Sequence, residues 1–296
     1  MPKLLRPLLL VLAGAALFQI GMGLGDALAK AFGIGVPALP AGVTAEKLML
    51  WMMLSVLLLA AALAPLAAGL RASWAFRAAA LALFVYAATF VNNALEARIF
   101  MTSGVAADAG VAFTLVVYLP ASALLAIPLA FLGRSEDGDR LGARAALLVA
   151  RGARSLGVRL AGAWAAFPAI YLVCGLAVQP FIERWYREGL LEMKQPGWSE
   201  ILPTLAARSL VFLVACGPVI ALSTGGRRRF WAGLGPALFV AVGGFHMLQA
   251  YWLPAALRGP HLLELLVSML AYAAVLALLF GPSPTAASTE GSAPAA

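Results

Sequence analysis

Eight apolar segments, each at least 21 residues long, divide this chain and restrict the folds that it can adopt. A hydrocarbon core about 30 Å thick is crossed by about 20 helical residues, so each segment is long enough to span a bilayer. Open strands cannot lie in lipid because their backbone groups would be unpaired, whereas helices pair those groups internally. The sequence therefore predicts an all-α, polytopic transmembrane bundle with spans at 7–29, 48–70, 75–95, 111–132, 160–182, 204–224, 230–253 and 261–281.

Composition agrees with a membrane protein. Hydrophobic residues make up 63% of the chain and charged residues 11%, whereas a soluble domain is about half apolar and about a quarter charged. The formal charge of +8 is typical of nucleic-acid binders as well. Here the basic residues lie in loops between apolar spans, so membrane orientation explains them better. We therefore expect the lipid bilayer as a partner and no nucleic acid.

The distribution of Lys and Arg predicts the orientation of the chain. Of the 21 Lys and Arg residues, 13 lie on the side of the N-terminus, including the arginines between 134 and 159 and those at 227–229. Loops rich in Lys and Arg stay in the cytoplasm. This pattern predicts a bacterial-type inner-membrane protein with both termini in the cytoplasm.

The first apolar segment has a second interpretation. Lys3 and Arg6 precede it, and Ala27-Leu28-Ala29 fits the site of a signal peptidase. Cleavage there would leave seven spans. The apolar run is longer than a usual signal core and Asp26 lies beside the site, so we expect an uncleaved first helix.

A polar, basic segment divides the spans into two groups of four. We expect a first four-span half at 1–133, a linker at 134–160 and a second half at 161–281. The linker carries arginines on one helical face and apolar residues on the other, which predicts an amphipathic helix held on the cytoplasmic leaflet by anionic lipids. A solvated linker is the alternative. Residues 282–296, rich in Pro, Ala and Ser, predict a disordered cytoplasmic tail.

A parallel duplication of the two halves is one interpretation of a short recurrence. Leu83-Phe84-Val85 in the third span recurs as Leu238-Phe239-Val240 in the seventh. Amide or imidazole side chains follow both motifs, although they align only after a shift of two residues. These side chains are Asn92 and Asn93 in the first half and His246 and Gln249 in the second.

Two glycines in the first span indicate where a neighbouring helix lies close. Gly21 and Gly25 have the small-xxx-small spacing that allows two helix backbones to approach each other. We expect these glycines to serve packing.

Polar side chains concentrate in the half of the membrane opposite the termini. Charged groups inside hydrocarbon cost roughly 2.5–3.5 kcal/mol, so a chain keeps them where they face protein or water. The pattern predicts a polar pocket open to the periplasm above an apolar inner half. Its candidate ligand-binding residues are Asn92, Asn93, Glu96, Arg208, His246, Gln249, Arg258, His261 and Glu264.

The densest part of this set begins the last span. Pro260 suits a first helical turn, which places His261 and Glu264 three residues apart on one face. Arg208 and Arg258 either balance Glu96 and Glu264 in a structural ion-pair network or hold an anionic headgroup or carboxylate. The aromatic residues Trp185, Tyr186 and Trp198 suggest an interfacial belt, with a lid over the pocket as the alternative.

Several kinds of chemistry have no signature in the sequence. There is no Walker A, His-Glu-x-x-His or Gly-x-Ser-x-Gly motif. With two histidines and two cysteines inside apolar spans, we expect neither a metal site nor a cofactor. The preferred hypothesis is a protein that binds or transports a small or lipid-like ligand, with anionic ligands included. The alternatives are an intramembrane enzyme that uses His261, oriented by Glu264, as acid and base, and a structural subunit; the protein partners stay unknown.

Overall fold

A computed structural model describes residues 5–37, 39, 42–101, 108–133, 152–190, 193–224 and 226–281. Within these ranges it contains eight long apolar helices. They are α1 (Leu5–Ala31), α2 (Ala45–Ala68), α3 (Trp74–Phe100), α4 (Asp108–Ala130), α5 (Ala153–Arg187), α6 (Trp198–Leu222), α7 (Arg227–Gln249) and α8 (Ala255–Phe280).

The predicted all-α bundle of eight spans is confirmed, although most of the helices are longer than the predicted spans. The largest difference is at α5, which begins at Ala153 rather than at residue 160. Residues 153–160 of the expected linker thus form the first turns of α5. Residues 134–151, where we expect the lipid-bound segment, and the tail 282–296 lie outside the described part of the chain.

The outer surface of the bundle is apolar. Leu8, Leu12, Ile20, Leu24 and Leu28 are exposed along α1 alone, and each of the other helices also exposes large apolar side chains. A monomer in water rarely exposes an apolar surface this continuous. The chain is therefore a multi-pass membrane protein whose exposed leucines face lipid.

α1 and α4 lie unusually close together. A Cβ added to Gly21 would meet the backbone of Ala121, and one added to Gly25 would meet the backbone of Val117. The close approach predicted from the spacing of these glycines is therefore present, and α4 is the helix that they contact.

The helix contacts define an interface between the two halves of the chain. In the first half α1 packs on α2 and α4, and α4 on α3; in the second half α5 packs on α6 and α8, and α8 on α7. Between the halves, α2 packs on α7 and α3 on α6. Side chains of α3 and α6 that face each other thus come from opposite halves.

Both α3 and α7 contain a wide π-helical turn near the middle of the bundle. These turns span Tyr86–Val91 and Val240–Gly244, and they contact each other. A π turn holds one extra residue, which rotates the following side chains by about 100° relative to an uninterrupted helix. The α-helix resumes at Asn92, directly after the first π turn, so this turn contributes to the direction in which the Asn92 side chain points.

Candidate functional site

A buried arginine lies at the interface between the halves. Arg208 of α6 has only 1% of its surface exposed. Its Nε donates a 2.9 Å hydrogen bond to Asn92 Oδ1, and its Nη1 donates a 2.7 Å bond to Glu96 Oε1. Both acceptors belong to α3. This ion pair therefore connects the first half of the chain to the second.

Tyr171 of α5 completes what we call the Arg208 cluster (Asn92, Glu96, Tyr171 and Arg208). The Tyr171 hydroxyl donates a 2.8 Å hydrogen bond to Glu96 Oε1. The Arg208 guanidinium lies 4.9 Å from the centroid of the Tyr171 ring and 5.4 Å from that of Phe167. Desolvated cation–π contacts of this kind contribute up to about 2 kcal/mol. Asn92 Nδ2 and Arg208 Nη2 are buried without a hydrogen-bond partner among the described residues.

His261 and Glu264 form a second polar group at the start of α8. His261 Nδ1 lies 2.7 Å from Glu264 Oε2, which agrees with the shared face predicted from their spacing. The Glu264 side chain is 3% exposed and that of His261 24% exposed. The two groups are neighbours, because the Tyr171 hydroxyl bonds to Glu96 and Tyr171 lines the same cavity as His261 and Glu264. Together the two groups contain the carboxylates of Glu96 and Glu264, the guanidinium of Arg208 and the imidazole of His261.

A cavity of about 260 Å³ adjoins His261 and Glu264. It lies between α5, α6 and the start of α8, at the end of the bundle where α3 and α5 end; we call this the polar end. Tyr171 separates the cavity from the buried arginine, because it lines the cavity while its hydroxyl bonds to Glu96. The lining includes Phe100, Tyr171, Gly175, Leu176, Gln179, Glu183, Tyr186, Trp198, Ile201, His261 and Glu264.

Five of the nine residues predicted for the site come together. Asn92 and Glu96 both accept hydrogen bonds from Arg208, and His261 and Glu264 lie beside them. Only His261 and Glu264 line the cavity itself.

The other four predicted residues lie elsewhere. Asn93 is half-buried one residue after Asn92, which turns it about 100° around α3. A ring nitrogen of His246 lies 3.1 Å from the carbonyl oxygen of Thr89. Gln249 ends α7, and its Nε2 is buried without a partner in the described part of the chain. Arg258 lines a separate, mostly apolar groove with residues of α2 and α7.

Sequence reasoning missed Tyr171, Gly175, Gln179 and Glu183 as residues of the site. Tyr171 is one aromatic residue in an apolar span and carries no local signal of its role. The aromatic residues at the polar end did carry a signal, since a lid was one interpretation of them. Tyr186 and Trp198 line the cavity. Trp185 instead packs against the guanidinium of Arg184, 4.1 Å from the ring centroid.

The described residues contain no group of three or more His, Cys, Asp or Glu that could hold a metal ion. Cys174 and Cys216 are free thiols within helices, half-buried and buried respectively. The ionisable side chains that line the cavity are Glu183, Glu264, His261, Tyr171 and Tyr186.

Comparison of the chain with known protein families, with curated proteins and with solved structures finds no match. The function must therefore be argued from the geometry of the site.

Proposed function

We propose that this protein binds a small or lipid-like ligand in the cavity at the polar end of the bundle, and moves it. The observation that carries this proposal is the pairing of Glu264 and His261 on the wall of a 260 Å³ cavity. A carboxylate so deeply placed in a membrane domain is costly and marks a ligand or ion pathway by default.

The location follows from the charge distribution. We propose that the polar end faces the periplasm and that both termini lie in the cytoplasm, because the larger share of Lys and Arg falls on the side of the termini. Anionic lipids of the cytoplasmic leaflet would then hold the basic segment 134–160.

The two polar groups have different roles in this proposal. The Arg208 cluster is enclosed and its charges are paired, which are the properties of a structural network between helices. Glu264 and His261 border open space and so can meet a ligand. The ligand-binding surface is therefore the face of α5 and α8 around Gly175, with the Arg208 cluster supporting it from behind.

Native mass spectrometry of the protein, taken from its own membranes into nanodiscs, tests this proposal. We expect a bound species on the wild-type protein that Glu264→Gln and Gly175→Leu lose. Arg98→Gln is the matched control, because Arg98 pairs with Asp108 at the same end of the bundle but is 53% exposed. The proposal fails if no species is bound, or if all the variants retain it equally.

The contact between His261 and Glu264 favours acid–base catalysis on the bound ligand as a second candidate function. A neighbouring carboxylate orients an imidazole and makes it a better base, as general acid–base catalysis requires. The mass of the bound species separates the two functions. Catalysis predicts that His261→Asn retains a species of different mass, the unconverted substrate, whereas binding alone predicts the same mass or none.

A further inference from the structure

We infer that the ligand of this cavity carries a cationic amine headgroup joined to an apolar body; this inference rests on the binding function proposed above. The first reason is the charge of the wall. The ionisable residues that line the cavity, among those described, are Glu183, Glu264, His261 and the tyrosines, with no Arg or Lys among them. An anion would face two carboxylates there, whereas a cation would be attracted to both.

The two arginines expected to hold an anion do not reach the cavity. Arg208 lies behind Tyr171, already bonded to Glu96 and Asn92, and its remaining Nη2 is enclosed. Arg258 lines the separate groove between α2, α7 and α8. Glu183 has a partly exposed partner in Arg187 at 3.2 Å. Glu264, whose near neighbour is a histidine rather than an arginine, is therefore the carboxylate best placed to meet an amine.

The aromatic residues of the wall suit the same headgroup. Tyr171, Tyr186 and Trp198 line the cavity together with the two carboxylates. Aromatic faces attract ammonium groups, and cages of Trp and Tyr are how proteins recognise quaternary amines.

An apolar body fits because the cavity reaches the lipid-facing surface. Leu176 of α5 and Trp198 of α6 both line it, and they are 56% and 58% exposed on the outside of the bundle. A volume of about 260 Å³ holds a headgroup and a few carbons but not a whole lipid. The rest of an amphiphile would extend between α5 and α6 into the bilayer.

Equilibrium dialysis with two probes of equal chain length and opposite charge tests the headgroup. Radiolabelled decyltrimethylammonium and decyl sulfate are each offered to the protein in maltoside micelles. We expect saturable binding of the cation, weakened at least about tenfold by Glu264→Gln because a buried charge partner is lost, and unchanged by Arg98→Gln. Trp198→Leu should also weaken binding of the cation. Trp198 is exposed, so this substitution should not destabilise the fold.

Two outcomes overturn the inference in different ways. Saturable binding of decyl sulfate alone, lost in Gly175→Leu, would show that the cavity binds anions, so the headgroup would be wrong and the binding function would stand. Binding of neither probe, together with no bound species in native mass spectrometry, would remove both the headgroup and the proposed function.

A different set of observations points to a second inference: the chain is two copies of one four-helix unit, related by a pseudo-two-fold axis along the membrane normal. Corresponding features are 153 residues apart over the first two helices of the unit. Arg6 and Arg159, the N-cap residues Thr44 and Gly197, and the helix prolines Pro65 and Pro218 all have this separation. The Leu-Phe-Val motif recurs at a separation of 155 residues, and a π turn begins directly after it in α3 and at its last residue in α7.

The contacts repeat as well as the sequence positions. Arg6 donates a hydrogen bond to the carbonyl of Phe131 after α4, and Arg159 donates one to the carbonyl of Leu279 at the end of α8. Most of the interhelical contacts also correspond when the halves are exchanged, since the contact of α2 with α7 becomes that of α6 with α3. Parallel repeats of this kind build carriers whose halves rock against each other.

The loops after α2 and α6 meet at the end of the bundle opposite the polar end. Arg71 N donates to Leu222 O and Thr224 N donates to Gly69 O, both at 3.0 Å, so Leu70 and Ser223 pair as an antiparallel bridge. The bridge joins the two halves of the chain on this side of the bundle. A rocking motion that moves the ligand across the membrane would have to open it.

Arg208 has no charged counterpart in the first half. The counterpart of Arg208, 153 residues earlier, is Ser55 of α2, whose hydroxyl bonds to the carbonyl of Trp51 in its own helix. The interface between α3 and α6 therefore contains a buried arginine, whereas the corresponding interface between α2 and α7 has a serine at that position. This difference places the ligand site on one side of the pseudo-two-fold axis only.

Cysteine cross-linking tests whether the two halves separate at this bridge when the ligand moves. In a background of Cys174→Ala and Cys216→Ala, we expect Leu70→Cys and Ser223→Cys to form a disulfide, because paired residues of an antiparallel bridge lie within disulfide range. Leu70→Cys with Trp198→Cys, at the opposite end, is the control that should not cross-link. We expect the cross-link to stop uptake of decyltrimethylammonium into proteoliposomes while leaving its binding intact. If the two cysteines do not cross-link, the bridge is not formed as described. If the wild-type protein takes up no cation, or if uptake is unchanged after cross-linking, the bridge does not have to open for transport.

Discussion

Arg208 Nη1 lies 2.7 Å from Glu96 Oε1, and this ion pair joins helices from opposite halves of the chain. The arginine side chain is 1% exposed and the glutamate side chain 18% exposed. Removing one partner would leave the other charge uncompensated inside the bundle, which costs more than the pair itself contributes. The ion pair therefore stabilises the packing of α3 against α6. α5 joins this network through the hydrogen bond from Tyr171 to Glu96.

The first prediction concerns this ion pair. Arg208→Gln should lower the free energy of unfolding by about 3–5 kcal/mol. Arg98→Gln, which breaks the exposed pair with Asp108, should lower it by about 0–1 kcal/mol. Denaturation in detergent, followed by tryptophan fluorescence, measures both. Equal losses would show that burial does not distinguish the two pairs.

The hydroxyl of Tyr171 allows a finer test. Tyr171→Phe keeps the ring on the cavity wall and removes the hydrogen bond to Glu96, a bond to a charged group, so a loss of about 1.5–3 kcal/mol is expected. Tyr86→Phe is the control, because the Tyr86 hydroxyl donates to the uncharged carbonyl of Leu115 at 3.1 Å and should cost about 0.5–1.5 kcal/mol. The same unfolding assay compares them, and a larger loss in Tyr86→Phe would contradict the assignment.

Much of the fold follows from the sequence because lipid imposes simple rules on it. An apolar segment of 21 residues has few alternatives to a spanning helix, so the eight spans were predictable. The ends of the helices were harder to predict, because helices extend beyond their apolar cores. α2 includes Glu46 and Lys47 at its start, and α5 includes Arg154. The π turns could not be foreseen, because no local pattern in Tyr86–Val91 differs from that of an ordinary helix.

The sequence identified most of the charged residues of the site, but it did not predict which of them contact each other. Arg208, Glu96 and Glu264 stand out because charges inside apolar spans are rare. Which of them meet depends on which helices are neighbours, and neighbours are set by packing. Arg258 shows the limit: it lies only three residues before His261, yet it borders the groove toward α2 and α7 rather than the cavity.

The contact between α1 and α4 provides a third prediction with its control in the same helix. Gly25→Ala places a methyl group against the backbone of Val117, so it should destabilise the protein by about 1–3 kcal/mol through overpacking. A Cβ on Gly23 meets nothing within 4 Å, and Gly23→Ala should be neutral or stabilise by up to about 1 kcal/mol through helix propensity. Thermal denaturation of the two variants measures this difference in stability. Similar melting temperatures would mean that α1 does not lie against α4 in this register.

The last prediction separates binding from stability. Gly175 lies in α5 opposite Glu264, where an added Cβ would be 3.8 Å from Glu264 Oε1, an ordinary contact. Gly175→Ala should therefore keep the ligand, while Gly175→Leu should fill the cavity and exclude it. Both substitutions replace a glycine within a helix, so both should raise the free energy of unfolding, by up to about 1 kcal/mol.

Dialysis with decyltrimethylammonium and thermal denaturation, measured on the same preparations, give the two readouts. A stable Gly175→Leu protein that no longer binds the cation would place the ligand between α5 and α8. If that variant binds as well as the wild-type protein, the ligand lies elsewhere, and Glu264 serves only to pair with His261.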